Sequence, residues 1–82
     1  MYQLTEVLDK NDMQSKKDFW HMLGKDFEIE DVEVGRQAKL SNISDSHMFH
    51  RVTKTSIIDN VKESFKEISL ITQDAIFFLK KY

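Results

Sequence analysis

Alternation with a period of two runs through residues 26–40 and restricts the fold more than any other feature of the chain. Phe27 and Ile29 are interleaved with Asp26, Glu28 and Glu30, and Val32, Val34, Ala38 and Leu40 continue on the other parity. Successive side chains of a strand point to opposite faces, so this pattern describes strand with one apolar and one polar face. The parity slips near Glu30-Asp31, which predicts a bulge or bend, and Gly35 predicts another. Residues 41–46, Ser-Asn-Ile-Ser-Asp-Ser, are turn chemistry, and Val52, Thr53, Thr55, Ile57 and Ile58 then supply a β-branched stretch.

The first 25 residues carry a different period. Leu4, Val7 and Leu8 share a face at helical spacing. After Asn11-Asp12, Ser15 is placed to cap a second helix, with Asp18 three residues on, Phe19, Met22 and Leu23 as its apolar face and Gly24 at its end. The last third reads two ways. As a helix, Ser56 caps and Ile57, Ile58, Val61, Phe65 and Ile68 form one face; as strands, residues 68–72 and 75–79 make a hairpin around Gln73-Asp74. A short helix over 57–65 feeding that hairpin is a third possibility, with the β-branched and aromatic content favouring strands.

The expected architecture is therefore α+β in a single domain, 1–82. An N-terminal helix or helix pair (1–25) packs on a small, strongly bent antiparallel β-sheet or partly open barrel (26–82). The expected core draws on Leu8, Phe19 and Leu23 from the helices, with Trp20 beside them. From the sheet it takes Val34, Leu40, Val52, Ile57, Ile68, Leu70 and Phe78.

Composition removes several function classes. The chain has 82 residues, enough for one domain, and no cysteine, so disulfides and thiolate metal sites are excluded. The longest apolar run, Ala75-Ile76-Phe77-Phe78-Leu79, is far short of the roughly 20 residues of a membrane-spanning helix. The first residues lack the basic start and apolar stretch of a secretory signal, which points to the cytoplasm. Net charge is −2, but unevenly spread: residues 1–33 carry −5 and residues 34–82 carry +3.

Two charged groups are candidate binding sites. Asp26, Glu28, Glu30, Asp31 and Glu33 form an acidic segment interrupted by no base. On a strand, alternate carboxylates stand about 6–7 Å apart, comparable with successive phosphates of a nucleic-acid strand. Such a row suits a basic groove on another protein; its plainer role is to keep a strand edge solvated and unpaired. Arg36, Lys39, Arg51 and Lys54 fall on neighbouring strands and, with Phe49, offer an alternative surface for nucleic acid, although Arg36 shares parity with Val34 and Ala38. A sequence pI near 5.9 argues against a dedicated nucleic-acid binder.

Catalysis and metal binding find little support. His47 and His50, with Asp45 beside them, are the one local group of ligand-type side chains, and a structural zinc wants four ligands. Serines, histidines and acids occur, but in no nucleophile elbow, and two glycines cannot build a phosphate-cradling loop. The expectation is a protein that is not an enzyme and takes no cofactor.

One resemblance adds to this reading. Val32-x-Val34-Gly35-x-x-Ala38-x-Leu40, then Thr55-Ser56-Ile57-Ile58, then Ile71-Thr72-Gln73 with Phe78-Leu79, resembles small β-rich accessory proteins of phages and mobile elements of low-GC bacteria, anti-CRISPR-like inhibitors among them. The resemblance covers roughly residues 27–82 and implies a bent sheet closed by a hairpin. It also implies an inhibitor that binds a host protein such as a nucleic-acid enzyme. A small nucleic-acid-binding regulator of transcription or replication, and a structural homo-oligomer such as a homodimer, stand as the alternatives.

Overall fold

The computed structural model describes residues 1–43 and 52–82. The strands are β1 (Tyr2–Asp9), β2 (Asp26–Glu30), β3 (Gln37–Asn42), β4 (Val52–Glu63), β5 (Glu67–Thr72) and β6 (Ala75–Lys81). Each pairs antiparallel with the next, and β6 returns to β1, so the sheet closes into a barrel. The β1–β6 seam runs from Tyr2↔Lys81 to Asp9↔Ala75, whereas β1 meets β2 only at Tyr2↔Phe27 and Gln3↔Asp26.

The expected N-terminal helix pair is overturned, and with it the α+β class: the fold is nearly all-β, and residues 2–9 are a strand. A β-bulge explains the misleading spacing. Leu4 faces Leu79 while Glu6 faces Phe78, so Thr5 is an extra residue in β1. The insertion carries both Leu4 and Val7 to the inside, three residues apart, which imitates a helix face. Leu8, the third member of that face, is not among the buried core residues.

The expected second helix shrinks to a 3-10 turn, Lys17–Met22, and Ser15 does not cap it. The Ser15 hydroxyl instead donates to the Glu6 carboxylate (2.9 Å) and accepts the Trp20 indole N–H (2.8 Å). The turn plugs the splayed β1–β2 gap. Met22 is buried, Leu23 packs on the core, and the Phe19 ring meets Phe77 edge-on at 5.1 Å. Backbone bonds from Gly24 N–H to Leu4 C=O, Leu4 N–H to Lys25 C=O and Lys16 N–H to Val7 C=O lace this excursion onto the edge of β1. Gly24 does take a left-handed backbone, φ +80°.

The helical alternative for residues 56–68 also fails, because β4 continues to Glu63 and the turn at 64–66 leads into β5. The Gln73-Asp74 hairpin is present between β5 and β6. β4 bends sharply, since it carries an extra residue against β3 (between Gln37↔Ile57 and Lys39↔Lys54) and another, Asp59, against β5. At each of the three irregularities a side-chain oxygen takes a backbone N–H: Glu6 Oε1 for Val7, Thr55 Oγ1 for Ala38, Asn60 Oδ1 for Val61. The distances are 2.9–3.0 Å, and at the buried Ala38 site an unpaired N–H would cost about 1–3 kcal/mol.

The interior is filled by Leu4, Val7, Phe27, Leu40, Ile58, Leu70, Phe77 and Leu79, all essentially inaccessible. Each contributes about 1.5–3 kcal/mol by leaving water. The core list is otherwise corrected. Val34 and Val52 are exposed, Ile57 and Phe78 lie outside the buried cluster, and Leu40, Ile68 and Leu70 are inside it. Thr72 is the one fully inaccessible polar side chain among the described residues; its hydroxyl accepts Ala75 N–H and lies 2.8 Å from the Ala75 carbonyl and 3.2 Å from Asp74 Oδ1.

Candidate functional site

Phe27 is buried and Ile29 packs against the core, so the alternation of β2 puts Glu28 and Glu30 outside. In β3, buried Ala38 and Leu40 likewise put Lys39 and Ser41 outside. Register then fixes the outer face: Glu28 beside Ser41, Glu30 beside Lys39, and Lys39 beside Lys54 of β4. The acidic and basic groups of the sequence thus meet on one surface.

The expected strand continuation through Val32 and Val34 is replaced by a tight connection over 31–36. Asp31 and Gly35 both take positive φ, +57° and +90°. Arg36 N–H donates to the Glu33 carbonyl, and Gly35 N–H and the Arg36 carbonyl both bond Ile58. This turn folds Arg36 back, 3.6 Å from Asp31 and 3.8 Å from Glu33, while Lys39 lies 3.4 Å from the other oxygen of Asp31. Arg36 is exposed and does not face the core as its parity suggested. Exposed pairs of this kind are worth about 0–1 kcal/mol each, so their main effect is on the local field. Asp31 and Glu33 cancel Arg36 and Lys39. Glu28 and Glu30 remain exposed, with no ion pair among the described residues. Asp26 is half-buried at the start of β2. Lys54 is exposed beside Lys39.

Arg51, Phe49, Asp45 and the two histidines His47 and His50 lie outside the described residues. Among the described residues no group of His, Asp and Glu could hold a metal ion, and no helix is long and apolar enough to cross a membrane. A hollow of about 230 Å³ lies over the β4–β5 hairpin, lined by Lys62, Glu63, Ser64, Glu67 and Ser69. Lys81 reaches across beside it to the Glu63 carboxylate and the Ser64 carbonyl.

The carboxylate of the β5–β6 turn is perturbed. Asp74, in the β5–β6 turn, accepts hydrogen bonds from the hydroxyls of Ser56 and Thr72. The Ser56 bond is the main cause of a pKa below the ordinary 3.8; desolvation opposes it, and Thr72 and the charge of Lys16 add to the lowering. The cluster clamps β4 to the hairpin, and Lys10 tightens the same end by donating to Asp59 (2.8 Å) and the Thr72 carbonyl (3.1 Å).

Trp20, expected beside the core, is instead exposed, and no spacing in the sequence singles it out. The residue is 53% exposed although its indole N–H is bonded to Ser15, and Lys17 Nζ stands 5.7 Å from the ring centroid. Its exposure follows from the shortened 3-10 turn, which no spacing in the sequence announced. The chain matches no family model, no curated protein and no solved structure.

Proposed function

We propose that this chain is a non-enzymatic, cytoplasmic interaction domain. Its β2–β3 face docks onto a basic groove of a protein partner, with Glu28 and Glu30 as the principal contacts and Asp26, Asp31 and Glu33 around them. The observation that carries the reading is the asymmetry of neutralisation. Arg36 and Lys39 are engaged by Asp31 and Glu33, whereas Glu28 and Glu30 project into solvent with no ion pair among the described residues. Two carboxylates about 6–7 Å apart on a rigid strand present charge at the interval of a phosphate backbone. A groove that ordinarily holds nucleic acid is therefore the partner chemistry of choice, and occupancy of that groove makes the domain an inhibitor of the anti-CRISPR kind. Electrostatic docking of this type acts chiefly on association rate and specificity.

One observation favours the nucleic-acid reading: Lys54, the cross-strand neighbour of Lys39, is exposed with no ion pair among the described residues. Both readings meet in one experiment. The protein and its Glu28→Gln/Glu30→Gln/Glu33→Gln variant are titrated with labelled single- and double-stranded DNA and RNA at low and moderate salt, then used as baits in a bacterial extract. Protein docking predicts no nucleic-acid binding and a captured protein that the triple variant releases. Salt-sensitive binding of DNA or RNA that the triple variant retains would overturn it in favour of the Lys39–Lys54 surface.

A further inference from the structure

β4 changes neighbours along its length. Up to Ile57 it pairs with β3, Gly35 and Arg36 then bond Ile58, and from Ile58 to Glu63 it pairs with β5. Among the described residues, no strand lies on the β3 side of residues 59–63. The backbone bonds of the neighbouring turn and strand show which groups face that side. Ser64 N–H donates to the Glu67 carbonyl, and Lys81 N–H donates to the Lys66 carbonyl. Backbone groups alternate in direction along a strand, so Ser69 and Ile71 turn theirs towards β4, where they meet Lys62 and Asn60. Val61 and Glu63 therefore turn theirs the other way, to the unpaired side.

An open edge of this kind is a template for another chain. Here its middle donor is already taken, because Val61 N–H bonds Oδ1 of Asn60 at 2.9 Å. Solvation does not require that bond. Asn60 is exposed, and water would satisfy Val61 N–H there, in contrast to the buried Ala38 N–H that Thr55 serves. What the carboxamide changes is availability: a tethered acceptor must be displaced before Val61 can pair, whereas water exchanges freely. The extra residue Asp59 on one side and exposed Lys62 on the other are further features that blunt a strand edge.

We propose that Asn60 is a lock on the β4 edge, and that its side chain withholds Val61 N–H from a second copy of this chain. Symmetry selects this occupant. Antiparallel pairing about a two-fold axis at Val61 joins the Val61 N–H of each copy to the Val61 carbonyl of the other, so the donor held by Asn60 is needed in both copies. The same register sets Asp59 opposite Glu63 of the second copy. Lys10 already engages Asp59 and Lys81 engages Glu63, so repulsion between those acids does not keep the edge shut. The inference rests on no part of the docking reading for Glu28 and Glu30, and either can fail without the other.

The test compares the protein with Asn60→Ala, which removes the acceptor, and Asn60→Asp, which keeps an oxygen in its place. All are checked by circular dichroism to be folded, and sedimentation equilibrium is run from micromolar to millimolar concentration. The parent and Asn60→Asp are expected to stay at 9.7 kDa, while Asn60→Ala rises towards twice that mass, with amide shifts on dilution at residues 59–63. Two backbone bonds per dimer set the expected gain in association at about tenfold or more. Hydrogen exchange at low concentration needs no association: the Val61 amide is expected to exchange faster in Asn60→Ala than in the parent or Asn60→Asp. A constant 9.7 kDa for Asn60→Ala overturns the proposal. So do an Asn60→Asp variant that pairs as Asn60→Ala does, dilution shifts confined to other strands, or a Val61 amide that exchanges in the parent as an unprotected one.

Discussion

β2 and β6 are both inward-facing strands of one barrel, yet they treat water oppositely. β2 buries Phe27, half-buries Ile29 and shows solvent Glu28 and Glu30, whereas β6 buries Phe77 and Leu79 and carries the half-buried apolar Ile76 and Phe78 on its outer face. Burial inside the barrel explains one face of each strand and leaves the other free to differ. On that outer face carboxylates line β2 and apolar side chains line β6. The difference teaches that, in a barrel this small, the inner face of every strand is constrained by the shared core, while the outer face of each strand varies independently of it.

Neighbouring phenylalanines give the widest separation. Phe77→Ala opens a hole in the core and is expected to lower stability by about 3–5 kcal/mol in urea unfolding, whereas Phe78→Ala at micromolar concentration should change it by less than about 1 kcal/mol. Equal losses would break the contrast between the two faces of β6.

Thr55→Val sharpens it from the polar side. The substitution keeps shape but strands the Ala38 N–H, and about 1–3 kcal/mol should be lost. Asn60→Ala removes the corresponding acceptor at an exposed position, where water replaces it. The expected loss there is about 0.5–1 kcal/mol.

Smallest is the response to acid at the β5–β6 turn. Asp74 has a lowered pKa in the folded chain, so its contribution is intact above the ordinary carboxylate value and is lost as pH falls through the folded value. Asp74→Asn should flatten the decline of unfolding midpoint below about pH 5. An unchanged slope would show that Ser56 and Thr72 contribute no preference for the ionised form.

These contrasts also mark what could be read from the chain. The β2 and β3 alternation and the Gln73-Asp74 hairpin were legible, because one wet face and one dry face leave a period-two signature. The N-terminal strand was not legible: the Thr5 bulge converts that signature into i, i+3 spacing, and bulges have no residue type of their own. Residues 56–63 were ambiguous for a related reason, since two extra residues in β4 disturb its alternation. At the candidate site, the charged residues were all visible in the sequence. Their mutual neutralisation was not, because it depends on a turn at 31–36 that brings Arg36 back onto Asp31. The apolar outer face of β6 had a sequence signal in the unbroken run Ala75–Leu79, which alternation alone does not explain.

The long seam between β1 and β6 has a consequence in time. β2 to β5 each find a partner next in sequence, so their pairing can begin as soon as each hairpin exists. β1 has only two residues paired with β2, and its full-length neighbour comes some seventy residues later. During synthesis, at about 5–20 residues per second, Leu4 and Val7 must wait for several seconds with their apolar face uncovered until β6 arrives. The excursion that laces Lys16, Gly24 and Lys25 onto the edge of β1 needs only residues that are synthesised long before that. In the folded barrel it occupies the backbone groups of the free side of β1, through which an uncovered strand edge would otherwise pair with another chain.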